Sequence, residues 1–267
     1  MKLSEYVTQG EFIGLRSTYF KEVMKEFPEA REEELALALK HLHPQKNEVI
    51  LEVGAGNGFF TRSIAKCINP SILVALDPSI EQLEDLTHLN GENICIMQGG
   101  ADFLPLDHEL LQDASFDAIW SGGGSFHHVF DKTKAFHHFY KLLKPSGRLV
   151  ISDVFAGSNL AKYFDSEVAK YCATGHEVSF LSKEFADSLC HIAGFQEPKL
   201  YDATIHLKFA QKEDIGNFLF KIHAMIKTSP EECLKKAEKI LGIDYINGLY
   251  CLKWPLSVCV SYKRGLS

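Results

Sequence analysis

Val49-Ile50-Leu51-Glu52-Val53-Gly54-Ala55-Gly56-Asn57-Gly58-Phe59-Phe60 is the stretch that decides the fold. A short, nearly all-apolar strand runs into three glycines at alternate positions and then into a helix. Strands that read as unbroken apolar runs are those covered on both faces. Outward from this stretch the same rhythm repeats. Ile72–Leu76 (ILVAL), Ile94–Met97 (ICIM), Ala118–Trp120 (AIW) and Arg148–Ser152 (RLVIS) are further short apolar runs, and helices are expected between them at Thr61–Ile68, Ser79–Leu89 and Lys132–Leu143. Asp77-Pro78-Ser79 is a cap signal, and Lys144-Pro145-Ser146-Gly147 reads as a helix stop and a turn into the next strand. Two more strands are expected near 199–209 and 256–263. Strand–helix alternation with short connections implies parallel pairing and right-handed crossovers. The expected fold is α/β, a doubly wound, mostly parallel, seven-stranded sheet.

Residues 1–45 read as a helical N-terminal extension, 46–155 as a cofactor-binding core, and 156–267 as a lid segment, the remaining core strands and a helical insertion, all in one continuous domain. The chain of 267 residues carries 28 Lys+Arg against 35 Asp+Glu, a net charge of -7. Such a surface repels phosphate backbones, and no run of basic residues overrides it, so bulk nucleic acid is not expected as a partner. No window approaches the ~18–20 apolar residues of a membrane span, and the first residues lack the apolar stretch of a signal peptide. The seven cysteines form no CxxC, which suggests neither a zinc site nor a disulfide framework. No metal is expected. Reduced thiols in a cytoplasmic protein are.

Glycine in the loop permits a tight turn and lets a ligand lie against bare backbone, while the following helix offers N–H groups to a carboxylate. A second acid, Asp77, ends the next strand 25 positions after Glu52. In open α/β sheets that position accepts the two hydroxyls of a ribose. Loop and acid together imply an adenosine-type cofactor at the carboxyl edge of the sheet. A dinucleotide fingerprint would place glycine at Phe59, and a phosphate loop would need a lysine that is absent here. Taken alone, the triplet is also compatible with a plain turn between buried elements.

Beyond the loop, Gly99-Gly100-Ala101-Asp102-Phe103-Leu104-Pro105-Leu106, Ser115-Phe116-Asp117-Ala118-Ile119-Trp120-Ser121, the pair His127-His128, and Leu142-Leu143-Lys144-Pro145-Ser146-Gly147-Arg148-Leu149 follow in order. Over roughly residues 48–153 this series resembles the class I S-adenosylmethionine-dependent methyltransferases, most of all their small-molecule branch, such as the quinone-biosynthesis enzymes. The resemblance implies a Rossmann-like methyltransferase fold, S-adenosyl-L-methionine as cofactor and S-adenosyl-L-homocysteine as product. It places Glu52, Gly54, Ala55, Gly56 and Gly58 around the methionine moiety, Asp77 on the ribose, Pro78 beside the adenine, Ala101 and Asp102 at the adenine edge, and Ser121 with Gly122 under the sulfonium. The family's acid before the alanine is Gly100 here. Asp102 either replaces that contact or caps the following turn.

Methyl transfer from a sulfonium is a direct displacement, so the protein supplies alignment and exclusion of water, which are worth ~7–11 kcal/mol of barrier. A base is needed only for an acceptor protonated at neutral pH. His127 is the catalytic candidate, with a loop histidine held by shape as the alternative. Asp153, Tyr163, Tyr171 and His176 are candidates for the acceptor pocket; the alternatives are a cap at Asp153 and an ordinary amphipathic helix for the rest. Tyr6, Phe12, Tyr19 and Phe20 either close over the cofactor or pack the leading helices. The expected activity is methylation of a small-molecule acceptor. The alternatives are a non-catalytic S-adenosylmethionine-binding regulatory protein and a protein or nucleic-acid methyltransferase; against the last, Ser121-Gly122-Gly123-Gly124 stands where amino-methylating enzymes grip a planar amino group.

Overall fold

The computed structural model describes residues 12–89, 93–176 and 178–265. Tyr6 lies outside them. The chain divides into two compact units, one of Leu37–Asp153, Val178–Tyr201 and Ser257–Ser267, the other of Met1–Ala36, Val154–Glu177 and Asp202–Leu256.

The strands are β1 (Ile50–Val53), β2 (Leu73–Asp77), β3 (Ile94–Gln98), β4 (Phe116–Ser121), β5 (Leu143–Asp153), β6 (Lys199–Phe209), β7 (Ile243–Ile246) and β8 (Leu249–Tyr262). Seven of them run in the order β3-β2-β1-β4-β5-β8-β6, and β7 pairs β8 off this path. β1 to β5 pair in parallel, and β8 returns antiparallel to β5. Every residue of β1 and β2 is buried, as their unbroken apolar sequences require. Strand order reverses between β1 and β4, the place in such sheets where a crevice opens at the carboxyl ends. Register puts Val53 between Leu76 and Ser121, so Gly54, Asp77 and Gly122 all emerge at that one edge.

Helices cover the sheet through apolar stripes. Thr61–Ile68 buries Thr61, Ile64, Ala65 and Ile68, and Lys132–Leu142 buries Ala135, Phe136, Phe139 and Leu142. Burial of each large side chain stabilises by about 1.5–3 kcal/mol. Asp131 caps the second of these helices, its Oδ1 accepting from the Lys134 N–H at 2.8 Å. Three local features differ from expectation. The helix expected over Ser79–Leu89 is α-helical only over Ile80–Leu83 and then tightens to a 3-10 turn, which brings the buried Leu86 against Gly58. Lys144-Pro145-Ser146-Gly147 is a bulge inside β5 rather than a turn before it: Leu143 already pairs Phe116 and the register resumes at Arg148 with Ala118. A helix at Lys183–Ala193, capped by Ser182 and stopped by Gly194 in the left-handed region, was not expected.

The second unit contains helices Leu15–Glu26, Lys212–Ile222 and Pro230–Ile240, and a helical run from Asn159 to Tyr171 with a π-helical turn at Phe164–Val168. The β7–β8 hairpin turns at Asn247-Gly248, both with positive φ, as its two-residue turn demands. Among the described residues no helix is long and apolar enough to cross a membrane, and all seven cysteines are free thiols.

Candidate active site

The glycine loop is folded back on the tip of β2. Gly54 and Ala55 N–H both donate to the Leu76 carbonyl, at 2.8 and 3.0 Å. Gly56 N–H donates to Asp77 Oδ2 and Ser79 N–H to Oδ1, each at 2.8 Å. Asp77 thus fixes the loop as well as facing the crevice edge, and each of its oxygens keeps a lone pair for a further donor. Two glycines are required for different reasons. At Gly54 (φ +80°) a Cβ would stand 2.4 Å from the Ser125 Cβ; at Gly56 (φ +55°) a Cβ would meet nothing within 4 Å. The backbone at Gly56 is bare on its open side, which suits a ligand lying against it.

Two acids make the electrostatics of this edge unusual. Glu52 is buried, and neither of its carboxyl oxygens has a hydrogen-bond partner. Burial pushes its pKa up to about 8, with Asp77 adding to the rise and the Thr61 hydroxyl opposing it. Burial also raises Asp77 to about 6 against the pull of its two backbone N–H donors. An orphaned buried carboxyl is costly unless a cation meets it. The ammonium of a methionine moiety has that charge, the bare turn has room for it, and Asp77 suits ribose hydroxyls, so these residues fit S-adenosylmethionine.

The other residues expected around the cofactor emerge at the ends of the neighbouring strands. Pro78 is exposed at the tip of β2, and its carbonyl accepts from Gln98. Ala101 is buried, with its carbonyl 2.9 Å from His138 Nδ1. Asp102 Oδ2 accepts from the Asp131 N–H at 3.0 Å, which anchors the start of helix Lys132–Leu142. At Gly100 a Cβ would stand 2.3 Å from the Phe103 ring, so that ring fills the place of the family's acid. Ser121 Oγ lies 3.0 Å from Ser125 Oγ, which donates to the Gly122 carbonyl at 2.9 Å. A Cβ at Gly122 would strike the Trp120 ring at 2.2 Å.

His127 and Asp153, expected separately, form a pair. His127 Nδ1 is 2.6 Å from Asp153 Oδ1, and its backbone N–H donates to Oδ2 at 2.8 Å. A carboxylate only accepts, so Nδ1 carries the proton and Nε2 is left as the basic nitrogen. Around the pair lie the His128 ring at 4.2 Å, the Phe180 ring at 5.4 Å, and Lys132 Nζ, which donates to the His127 carbonyl at 3.3 Å and to Val129 at 2.6 Å. Burial lowers His128 to about 4, so it is neutral at pH 7; burial also lowers Lys132 to about 8, with Asp153 and Asp102 favouring its charge. Ser125, Lys132, Phe103 and Trp120 were not expected here. Phe103 and Trp120 stand inside motifs quoted above and Ser125 and Lys132 lie close to them in sequence, but none of these residue types announces its role.

Tyr163, Tyr171 and His176 belong to the second unit. Tyr163 is fully buried and its hydroxyl donates to Met225 Sδ at 3.7 Å; Tyr171 is half-buried beneath Lys170; His176 lies 5.0 Å from the Phe164 ring, which also contacts His223 and Trp254. Of the leading aromatics, Phe12 packs edge-on to Phe20, and Tyr19 lies 6.1 Å from Phe220.

A parallel sheet reversing at β1/β4, an antiparallel strand slotted in beside β5, and a bare glycine turn tied to an acid at the tip of β2 define an α/β fold of the nucleoside-binding methyltransferase class. Residues 51–151 match the family described as a methyltransferase domain. The chain is 28% identical over 124 residues to a ubiquinone/menaquinone biosynthesis C-methyltransferase of Hahella chejuensis, covering 43% of this chain and 47% of that protein. It is 25% identical over 171 residues to a tRNA U34 carboxymethyltransferase of Ruthia magnifica, covering 62% and 51%. The chain spans about half the length of the curated relatives it matches. In fold it is similar to phosphoethanolamine N-methyltransferase 2 of Haemonchus contortus, solved with phosphomonomethylethanolamine and S-adenosylhomocysteine (TM-score 0.62, 16% identity, 99% of this chain and 60% of that one). Over residues 51–151 the chain is similar to S-adenosylmethionine-dependent methyltransferases in sequence, and its fold is the Rossmann-like methyltransferase fold.

Proposed function

We propose that this chain transfers a methyl group from S-adenosylmethionine to a small-molecule acceptor by direct displacement. The observation that carries this reading is the orphaned Glu52 carboxyl beside the open turn at Gly56 and the loop-fixing carboxylate of Asp77. When bound, the cofactor supplies an electrophilic methyl group on a sulfonium and departs as S-adenosylhomocysteine. Glu52 holds the ammonium, with Gly54, Ala55, Gly56 and Gly58 lining the same moiety by backbone. Asp77 accepts the ribose hydroxyls, Pro78 flanks the adenine, and Ala101 and Asp102 lie at its edge. Ser121 and Gly122 form the floor, backed by Trp120. His127 Nε2 takes the acceptor's proton where there is one, while Asp153 fixes the ring and stabilises the imidazolium. Alignment in a site shielded from water supplies the rest of the acceleration.

The net charge of -7 and the Ser-Gly-Gly-Gly run after β4 support a small acceptor over nucleic acid. The similarity to a tRNA-modifying enzyme supports the second reading, an RNA acceptor. Thermal unfolding tests the cofactor assignment. S-adenosylhomocysteine at ~100 times its Kd should add about 2.7 kcal/mol, read as a rise of a few degrees in Tm, and Asp77→Ala should abolish the rise. Folded protein whose Tm does not respond would overturn the assignment. Release of S-adenosylhomocysteine in the presence of phenols, quinols, amines and carboxylates then sorts the acceptor class.

A further inference from the structure

Two buried polar side chains stand side by side on β1 and β4, and neither has a hydrogen-bond partner among the described residues. Register pairs Glu52 with Trp120 on parallel neighbouring strands, so both side chains leave the same face of the sheet, with backbones about 4.8 Å apart. Both carboxyl oxygens of Glu52 are unmet, and so is the indole Nε1 of Trp120, a residue 1% exposed. The indole is fixed in place. Phe60 packs on it with ring centroids 5.4 Å apart and planes at 71°, and an aromatic ring is at most a second-order acceptor. A Cβ at Gly122 would stand 2.2 Å from Cζ2 and 2.9 Å from Cε2. Cε2 carries Nε1, so the N–H edge of the ring runs along Gly122, at the sheet edge where Gly54 also emerges. A buried N–H is costly to leave unmade.

The two unmet groups are opposite in kind. An ionised carboxyl only accepts, and an indole N–H only donates. The amino-acid end of S-adenosylmethionine carries an ammonium and a carboxylate on one carbon. A site that meets both needs an acid and a donor at adjacent positions, which the register of β1 and β4 supplies. A hydrogen bond from the indole to a carboxylate is charge-assisted and stronger than one between neutral groups. The indole also brings its donor without a charge. A lysine or arginine at position 120 would pair with Glu52 itself and compete with the ammonium.

We infer that Trp120 is a binding residue, its Nε1–H donating to the carboxylate of the cofactor's amino-acid end while Glu52 holds the ammonium; this rests on the cofactor assignment above. The test is calorimetric titration of the full chain with S-adenosylhomocysteine and with its decarboxylated analogue, which keeps the ammonium and lacks the carboxylate. Trp120→Phe keeps an aromatic ring and removes the N–H. It should weaken S-adenosylhomocysteine by about 10–100-fold and leave the decarboxylated compound nearly unchanged. Equal weakening of the two compounds, as lost packing produces, or weakening of neither would overturn the inference. Nuclear magnetic resonance of the wild type gives a second readout. The chain has two tryptophans, so Trp254→Phe identifies the indole signal of Trp120. Saturation with S-adenosylhomocysteine should move that N–H proton downfield, and the decarboxylated compound should not. A Trp120 signal unmoved in the saturated protein overturns the inference, and it decides the matter where Trp120→Phe does not fold. A folded wild type that binds neither compound overturns the cofactor assignment and this inference with it; binding that does not depend on the indole N–H overturns this inference alone.

Discussion

Glu52 concentrates the physics of the site in one side chain. Its carboxyl titrates at about 8 in the folded chain against an ordinary value of 4.5, so between those limits the native state binds a proton that the unfolded state has released. Stability therefore falls as pH rises through that window, and Asp77, raised from 3.8 to about 6, acts in the same sense lower down. Without ligand, the chain should be less stable at pH 8.5 than at pH 6 by an amount on the order of a few kcal/mol, and Glu52→Gln should flatten that dependence. Urea unfolding at the two pH values measures it; an unchanged slope in Glu52→Gln would refute the assignment. A bound ammonium holds Glu52 as an anion, so cofactor binding at pH 7 should release a proton. Calorimetry in buffers of different ionisation enthalpy detects this. At His127 the expectation depends on the acceptor. With one that is protonated at neutral pH, His127→Gln should lower kcat by about 10²–10⁴ with a small change in KM. Asp153→Asn should also lower kcat, because an amide can donate to Nδ1 and favour the wrong tautomer.

At the scale of elements, the glycine loop is held by a partner from beyond the next strands. Gly54→Ala puts a methyl on Ser125 and forces a left-handed φ that costs an L-residue roughly 1–2 kcal/mol. It should destabilise by more than that, and Ser125→Gly should recover the steric part; a double-mutant cycle without coupling would refute the contact. The loop, the strands on either side and the acid at Asp77 were legible because each has a local cause: unbroken apolar runs, or positive φ. The hairpin at Asn247-Gly248 and the helix between Ser182 and Gly194 have local signals as well, a two-residue turn with positive φ in the first and a serine cap with a glycine stop in the second. Ser125 against Gly54, Phe103 against Gly100 and Asp153 on His127 are of another kind. They join residues by packing, and nothing in the residue types announces the partner. The bulge at Lys144-Pro145-Ser146-Gly147 was read as a turn because Pro and Gly mark both.

For the whole molecule, the charge balance carries the clearest expectation. With Asp+Glu 35 against Lys+Arg 28, association with bulk tRNA at physiological salt should be weak and non-saturating in filter binding. Tight binding with a steep negative dependence on salt would redirect the acceptor assignment to RNA. The parallel pairing of β1 to β5 was foreseeable from alternation and crossover rules, whereas the strand order and the division into two compact units were not, since each unit gathers three separated stretches of chain.

The ring of Phe103 beside Gly100 bears on how strictly the proposed methyl donor would be selected. On the proposed reading of the site, the Phe103 ring stands where a carboxylate would grip the exocyclic amine of the base. Discrimination against donors altered at that amine should be shallow: N6-alkylated and inosine analogues should compete within about tenfold of the natural compound, a difference of ~1.4 kcal/mol. Such tolerance would make labelled or bulky donor surrogates usable on the unmodified enzyme, and competition binding with the two analogues measures it directly.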